Sequence, residues 1–526
     1  MKAGFRQSMA WLHTWSGLLA GWILFTVFLT GTASYFRPEI SYWMRPEAHV
    51  SIPGPYPAQP MVEQLSRMAP SGFTLTLPNE RDPIGSAFWR DPSAGRRGFR
   101  QALLDPVSGS PVVSRDTRGG EFFYRLHFQL HYMSPILGRW IISFCAMMML
   151  VAIISGIVTH RRIFADFFTF RPRKGQRSWL DAHAATATLA LPYHLMITYT
   201  GLVTLMLMSM PWGTQLAYQG DVRRFDTEMF GRFDPGRPSG QAAPLVPVDP
   251  LLTEAARLWG GAPAARITIT HPGDAAARVE ISRGPERRLS SQRDVLVFDG
   301  ATGTLLGREG NDSGAATTHG VLYGLHLGQF AGPALRALFF LSALAGTAMV
   351  GTGLILWAIK ERQAAIKAGR FGIGLRLVEV LNLATIAGLP VAMAGFFWLN
   401  RLLPAALPAR AGWEVDGFFL IWGACMLHAA LRLGSRRGWM EQLALAGVLG
   451  LGLPVLNAFT TPWHIGVTIP AGEWRLAGLD LTVAMLGAML AGTAAYLALR
   501  REKPIRKVRV PLSAVPTSSA QGEAAH

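Results

Sequence analysis

The sequence predicts a polytopic α-helical membrane protein of about eight transmembrane helices, built as a tandem parallel repeat that carries two large α+β loops. Three observations predict it. Half of the 526 residues are hydrophobic and only 16% are charged, and several apolar runs exceed 18 residues. Basic residues collect in short segments beside every second run. Histidines recur at matched positions in two stretches of chain.

A formal charge of +17 would suit a nucleic-acid partner, but the basic residues do not line one face. Lys2 and Arg6 precede the first run, and Arg161 to Arg177, Lys360 to Arg370, Arg432 to Arg437 and Arg500 to Arg509 follow every second one. That is the positive-inside pattern: it implies a lipid bilayer as partner, no nucleic acid, and both termini cytoplasmic. The two cysteines, Cys145 and Cys425, fall inside apolar runs, so no disulfide framework or CxxC site is available. Redox chemistry here requires a bound cofactor.

Residues 1–36 form the first transmembrane helix, with its span at 11–36; too long for a cleaved leader, it is read as an uncleaved anchor. Residues 37–135 are a first loop on the face opposite the basic connections. Residues 136–209 hold spans at 136–160 and 183–209 around a basic cytoplasmic connection. Residues 210–333 are a second loop, and 334–359 the fourth span. Four further spans, at 375–399, 415–433, 439–459 and 476–499, make a C-terminal extension over 375–499, and 500–526 is a basic cytoplasmic tail.

Each loop has the composition of a small folded domain and lies in the periplasm of a bacterial cell. Both open on a helix-like stretch, PMVEQLSRMA and PLLTEAARLWG, and continue through strand-like segments such as ARITITHPG and ARVEISRG. They close on LLDPVSGSPVV and VFDGATGTLLG, in which an aspartate followed four residues later by glycine marks a hairpin.

The membrane segments repeat as well. Aligning WLHTWSGLLAGWILFTVFLTG with DAHAATATLALPYHLMITYTG without a gap puts His13 on His183 and Thr30-Gly31 on Thr200-Gly201, with 17 residues between histidine and threonine in both. LHYMSPILGRW and LHLGQFAGPAL put His131 on His326, with Gly156 and Gly351 each 25 residues further on. Parallel repeats are related by an axis along the membrane normal, so matched residues share one depth. His13 and His183 then face each other near one surface, and His131 and His326 near the other.

A histidine near a helix end also snorkels to the interface or bonds a carbonyl. Two matched pairs at equal depth favour a common cause, because ionisable groups inside a membrane are costly and mostly functional. Each pair suits the two axial positions of a haem iron, which then has no open site for oxygen and passes single electrons. His127 lies one helical turn before His131, so either serves as the ligand. His194, eleven residues after His183, lies about 16 Å deeper and suits either a third ligand or a buried, satisfied histidine. His160 ends the second span beside Arg161 and Arg162, which suit haem propionates.

On these motifs the chain resembles the PepSY-associated transmembrane proteins, also called iron-regulated membrane proteins. WLHTWSGL with its downstream TG, LHFQLHYMSPILGRW, THRRIFADFFTFRPRKGQRSWLDAHAA, LPYHLMITYTGL and LYGLHLGQFAGPALR carry the resemblance across most of residues 1–360. It implies PepSY-like periplasmic loops and b-type haem, two per chain, and it is closest to the ferripyoverdine and ferrioxamine reductases of the bacterial inner membrane.

The expected activity is therefore reduction of a ferric siderophore in the periplasm, with electrons from a cytoplasmic or quinol donor and release of ferrous iron to iron-binding or accessory proteins. The chain has no GxGxxG opening a βαβ unit, so it does not bind a dinucleotide itself. The alternatives are a haem relay to another periplasmic acceptor, a sensor or accessory subunit without redox activity, and a transporter. The four-span reductases lack residues 375–499, whose His428 and His464 match nothing in the repeat.

Overall fold

A computed structural model describes residues 4–49, 54, 56–91, 93, 98–160, 171–231 and 236–500. The chain opens with α1 (Phe5–Ser34) and α2 (Arg37–Trp43). It then runs through α3 (Gln59–Met68) and strands β1 to β4 (Gly72–Thr76, Gly85–Arg90, Phe99–Leu104, Pro111–Val112) to α4 (Gly119–Gln129) and α5 (Pro135–Thr159). The second copy repeats that order. It has α6 (Gln176–Leu189), α7 (Leu191–Thr204), the short α8 (Met206–Ser209), α9 (Trp212–Tyr218) and α10 (Val222–Phe230), then α11 (Val248–Leu258). Strands β5 to β8 (Ala264–Thr270, Arg278–Arg283, Val295–Asp299, Leu305–Glu309) lead to α12 (Gly314–Leu327) and α13 (Pro333–Ala368). The extension is α14 (Ile373–Asn382), α15 (Gly388–Leu402), α16 (Arg410–Leu431), α17 (Arg436–Thr460), α18 (Ile465–Thr468) and α19 (Trp474–Leu499).

Among the described residues, seven helical segments are long and apolar enough to cross a membrane. The third span is interrupted. Pro192 has no N–H to give the carbonyl of Thr188, so the helix breaks at Ala190 into α6 and α7, of 14 residues each. The matched helices α5 and α13 both start on a proline, whose missing N–H costs nothing at a first turn. Helix α1 packs against both α5 and α13, α6 against α13, and α7 against α5 and α12. The two copies thus interleave as one bundle.

The sequence reads the loops as two small domains; they build one. All eight strands form a single antiparallel sheet in the order β4-β3-β2-β1-β5-β6-β7-β8. Strands β1 and β5 pair about Thr74 and Thr268, whose hydroxyls are 3.2 Å apart. Four strands alone would leave β1 or β5 as a bare edge of unpaired amides, and joining the copies removes both edges. The helices make a reciprocal cap: the Ala58 N–H donates to Asp249 at 2.7 Å and the Val248 N–H to Gln59 at 2.8 Å. Met61, Leu65 and Leu75 share one core with Ile267, Val279 and Phe298. Cutting any of these to alanine costs about 2–5 kcal/mol. The closing pieces are the expected hairpins: the Gly109 N–H donates to the Asp105 carbonyl and the Gly303 N–H to the Asp299 carbonyl, each at 2.9 Å.

The extension joins the bundle on one side. Helices α14 and α15 form one segment with a π-helical turn at Leu383–Ala387. Pro390 cannot donate to the Ile386 carbonyl, and widening the turn redistributes the bonds. The indole of Trp422 donates to the Ala384 carbonyl at 2.9 Å. Helices α17 and α19 touch backbone to backbone, since a Cβ on Gly450 would stand 2.8 Å from the Gly487 Cα.

Candidate functional site

Four histidines point across the bundle into the same kind of notch. The Nδ1 of His13 lies 2.8 Å from the Ala152 carbonyl and that of His183 2.9 Å from Met349. The Nδ1 of His127 lies 2.8 Å from the Val27 carbonyl and that of His326 3.1 Å from Ile197. In every case the residue four positions on is glycine: Gly156, Gly353, Gly31 and Gly201. A Cβ on any of them would stand 2.7–3.1 Å from the imidazole. A helical carbonyl already accepts from the amide four residues later, and a side chain there would cover its second lone pair. Glycine leaves that lone pair open to the ring.

Since a carbonyl only accepts, each Nδ1 carries the proton and each Nε2 is left with a free lone pair. The second bond also sets the orientation of the ring, as it does in metal-ligating histidines. The hydroxyl of Thr200, 3.2 Å from the His326 Nδ1, and that of Thr352, 3.5 Å from the His183 Nδ1, repeat a further detail.

The rings meet in two pairs. His13 and His183 have centroids 6.1 Å apart, and His127 and His326 6.0 Å apart. Two metal–nitrogen bonds of about 2 Å, plus about 1 Å from each nitrogen to its ring centre, span about 6 Å. Val27 lies 14 residues after His13 on α1, which separates the pairs by roughly 21 Å of helix rise, and Ile197 lies 14 after His183 across the α6–α7 break. Among the described residues no three histidine, cysteine, aspartate or glutamate side chains gather to hold a metal ion. A histidine pair suits a metal whose remaining positions are filled by a macrocycle, and the separation fits haem.

The partner facing His326 is His127, and this corrects the alignment of His131 with His326. His131 lies beyond the end of α4, exposed, with its ring stacked on Phe419 at 5.3 Å. Gly353, not Gly351, lies under His183; Gly351 meets Phe25 instead. From His127 to Gly156 is 29 residues and from His326 to Gly353 is 27, so an ungapped comparison pairs the wrong residues.

His194 is fully buried against Phe28, with Gly346 beside its Nε2. The carbonyls of Ser342 and Ala187 are near, yet neither ring nitrogen closes a hydrogen bond. It does not join either pair. His160 caps the end of α5, one turn past Gly156. Arg161 and Arg162 lie outside the described residues.

A cavity of ≈ 400 Å³ opens beside His127 and His326, with Arg37, Arg81 and Arg139 in its wall. Arg81 comes from the sheet, in the β1–β2 connection, and is held by Glu39 at 2.7 Å and by the Tyr35 carbonyl at 2.6 Å. Arg37 and Arg139 lie over the rings of Tyr124 and Phe128. The sheet therefore sits over the His127–His326 end, and the His13–His183 pair is the far one.

Residues 10–360 match the family of the PepSY-associated TM region. The chain belongs to that family. An uncharacterized protein of Pseudomonas aeruginosa is 30% identical over 392 residues, covering 70% of this chain and 93% of its own length. Both histidine pairs and all four glycines of this PepSY-associated protein fall within the matched region, and α14 to α19 lie beyond it.

Sequence reasoning missed how those helices attach. Trp43 is fully buried between Arg401, 3.7 Å over its ring, and Phe397. Its indole donates to Asp480 at 3.1 Å, and Arg401 donates to the Trp43 carbonyl at 2.7 Å. Arg410 and Glu414, both fully buried, pair with each other and with Asn400 and Thr117. The signal in the sequence was charge at or near the ends of apolar spans, at Arg401, Arg410, Glu414 and Asp480. His428 pairs with Glu441 at 2.8 Å and Gln442 at 3.1 Å, and His464 caps α18, so neither faces another histidine.

Proposed function

We propose that this membrane protein is a haem-containing reductase of the bacterial inner membrane that passes electrons across the bilayer to ferric siderophore in the periplasm and releases ferrous iron. The observation that carries the reading is the notch used four times, which leaves two pairs of Nε2 lone pairs at metal-spanning separation and at two depths. His13 with His183 and His127 with His326 would hold one haem each. Bound between these histidines, haem would supply single-electron transfer.

The chain's own residues do the rest. The Nδ1 bonds keep each Nε2 unprotonated, and the glycines admit the rings. Arg139 brings a positive charge to the sheet-side cavity, where Arg37 and Arg81 are paired with Glu121 and Glu39. Siderophores offer mainly hard oxygen donors that prefer ferric iron, so one added electron weakens the complex and frees the metal. The shared sheet, placed over the His127–His326 end, is where such a complex would dock.

The test is the visible spectrum of the detergent-purified protein, oxidised and dithionite-reduced, with haem quantified against protein and a ferric siderophore added to the reduced form. Low-spin bands at two haems per chain that reoxidise with chelate establish the reading. A protein purified from haem-replete cells without haem overturns it, and haem that ferric chelates leave reduced points to a relay with another acceptor.

A further inference from the structure

The second large cavity lies where the extension meets the repeat bundle, and it has a volume of ≈ 810 Å³, within the range of ligand sites. It follows α13 from Leu344 to Arg362, roughly 27 Å of helix rise against a hydrocarbon thickness of about 30 Å. Most of its wall is apolar, with Phe25, Ile386, Met393, Leu443, Val483 and Leu490 among the lining residues. Polar groups gather towards one end, where Glu379 and Arg362 pair at 3.1 Å beside Trp179 and Trp439. The π-helical turn, a feature common at functional sites, forms part of the wall through Leu383 and Ile386.

One more residue ties the cavity to the histidines. Thr352 lines it, and its hydroxyl is 3.5 Å from the Nδ1 of His183. The cavity and the far histidine pair therefore share a wall, one turn of α13.

We infer that this cavity binds a lipid-soluble quinol, with its ring at the Glu379 end and its isoprenoid tail along the apolar wall, and that the extension exists to complete it. The inference rests on the electron-transfer reading above and supplies its reductant. Oxidation to the quinone breaks two O–H bonds. The two protons leave by way of Glu379 and the water beyond Arg362. The two electrons leave one at a time past His183 and reduce two ferric ions, the acceptors of the proposed reaction.

An anionic phospholipid is the competing occupant. Arg362 is paired with Glu379 and Arg432 with Glu441 at 2.9 Å, while Arg436 and Arg500 also line the cavity, so displacement by the quinone decides between the two occupants.

The experiment uses the full-length protein in nanodiscs. Decylubiquinone is titrated against tryptophan fluorescence, which needs no haem, and decylubiquinol is mixed with the oxidised protein while haem reduction is followed. Saturable quenching in the wild type, weakened at least tenfold by Ala348→Phe in the cavity wall, together with haem reduction by decylubiquinol that Glu379→Gln slows at least tenfold, supports the site. Both variants must keep wild-type haem content and dithionite reduction. Absence of saturable quenching, unchanged titration in Ala348→Phe, or co-purified phospholipid that the quinone does not displace overturns the inference even when haem is present. Quinone binding to a protein without haem leaves this site standing and removes the electron-transfer reading instead.

Discussion

Gly201 lies against the imidazole of His326, so closely that a Cβ on it would stand 3.0 Å from the ring's Cε1. The same relation holds for Gly31 with His127, Gly156 with His13 and Gly353 with His183. Replacing Gly201 with leucine would push His326 off the Ile197 carbonyl, because α7 and α12 are packed together there and cannot part cheaply. Gly201→Leu is expected to halve the haem content while α1 to α6 still assemble, and Gly213→Leu, where nothing lies within 4 Å, is the control. Haem-to-protein ratio and far-ultraviolet circular dichroism read both variants. Full haem in Gly201→Leu would show that the notch is structural only.

His127 and His131 separate cleanly by substitution. His127→Ala removes a ring bonded to Val27 and facing His326, so it should halve the haem. His131→Ala removes an exposed ring stacked on Phe419 and should leave the spectrum unchanged. The reverse result would restore the pairing that the ungapped alignment suggests.

Arg410 and Glu414 are a buried ion pair, and removing one member leaves the other's charge without compensation. Arg410→Ala is expected to cost about 3–5 kcal/mol, and Arg410→Met with Glu414→Leu to recover most of it. Unfolding in detergent, followed at both haem and tryptophan signals, checks the order. A mild Arg410→Ala would mean that water reaches Glu414.

Two groups at the sheet end make stability depend on pH in opposite directions. Burial pushes His49, held between Tyr42 and Trp463, down from 6.5 to about 4. The folded state there binds fewer protons than the unfolded chain, so this contribution is full above about pH 6.5 and is lost as pH falls through about 4. Burial pushes Asp82 up from 3.8 to about 6. Its contribution is full below 3.8 and is lost as pH rises through about 6. Each reaches on the order of 3 kcal/mol. His49→Gln should therefore make stability fall more steeply from pH 4 to 6, and Asp82→Asn should make it rise. Unfolding midpoints across that range test the signs, and parallel curves for both variants would refute them.

Much of this was written locally in the chain. Apolar length and the spacing of basic residues determine a polytopic helical protein, because the bilayer imposes both. The Asp–Gly hairpins and the period of the apolar residues determine the loop elements. The two copies are visible because His13 and His183 each precede a threonine and glycine by the same interval.

Tertiary structure decided the rest. Whether His127 or His131 faces His326 depends on where α4 ends, and the two differ by a single helical turn in sequence. That β1 and β5 join two loops into one sheet follows from edges too far apart in the chain for any local pattern to connect. Trp43, Arg401, Arg410 and Asp480 come from four separate segments, and each alone reads as an interfacial residue. A carbonyl lone pair opened by glycine is invisible until the opposite helix lays a ring on it, since such a contact is set by packing between helices and not by the sequence of either one.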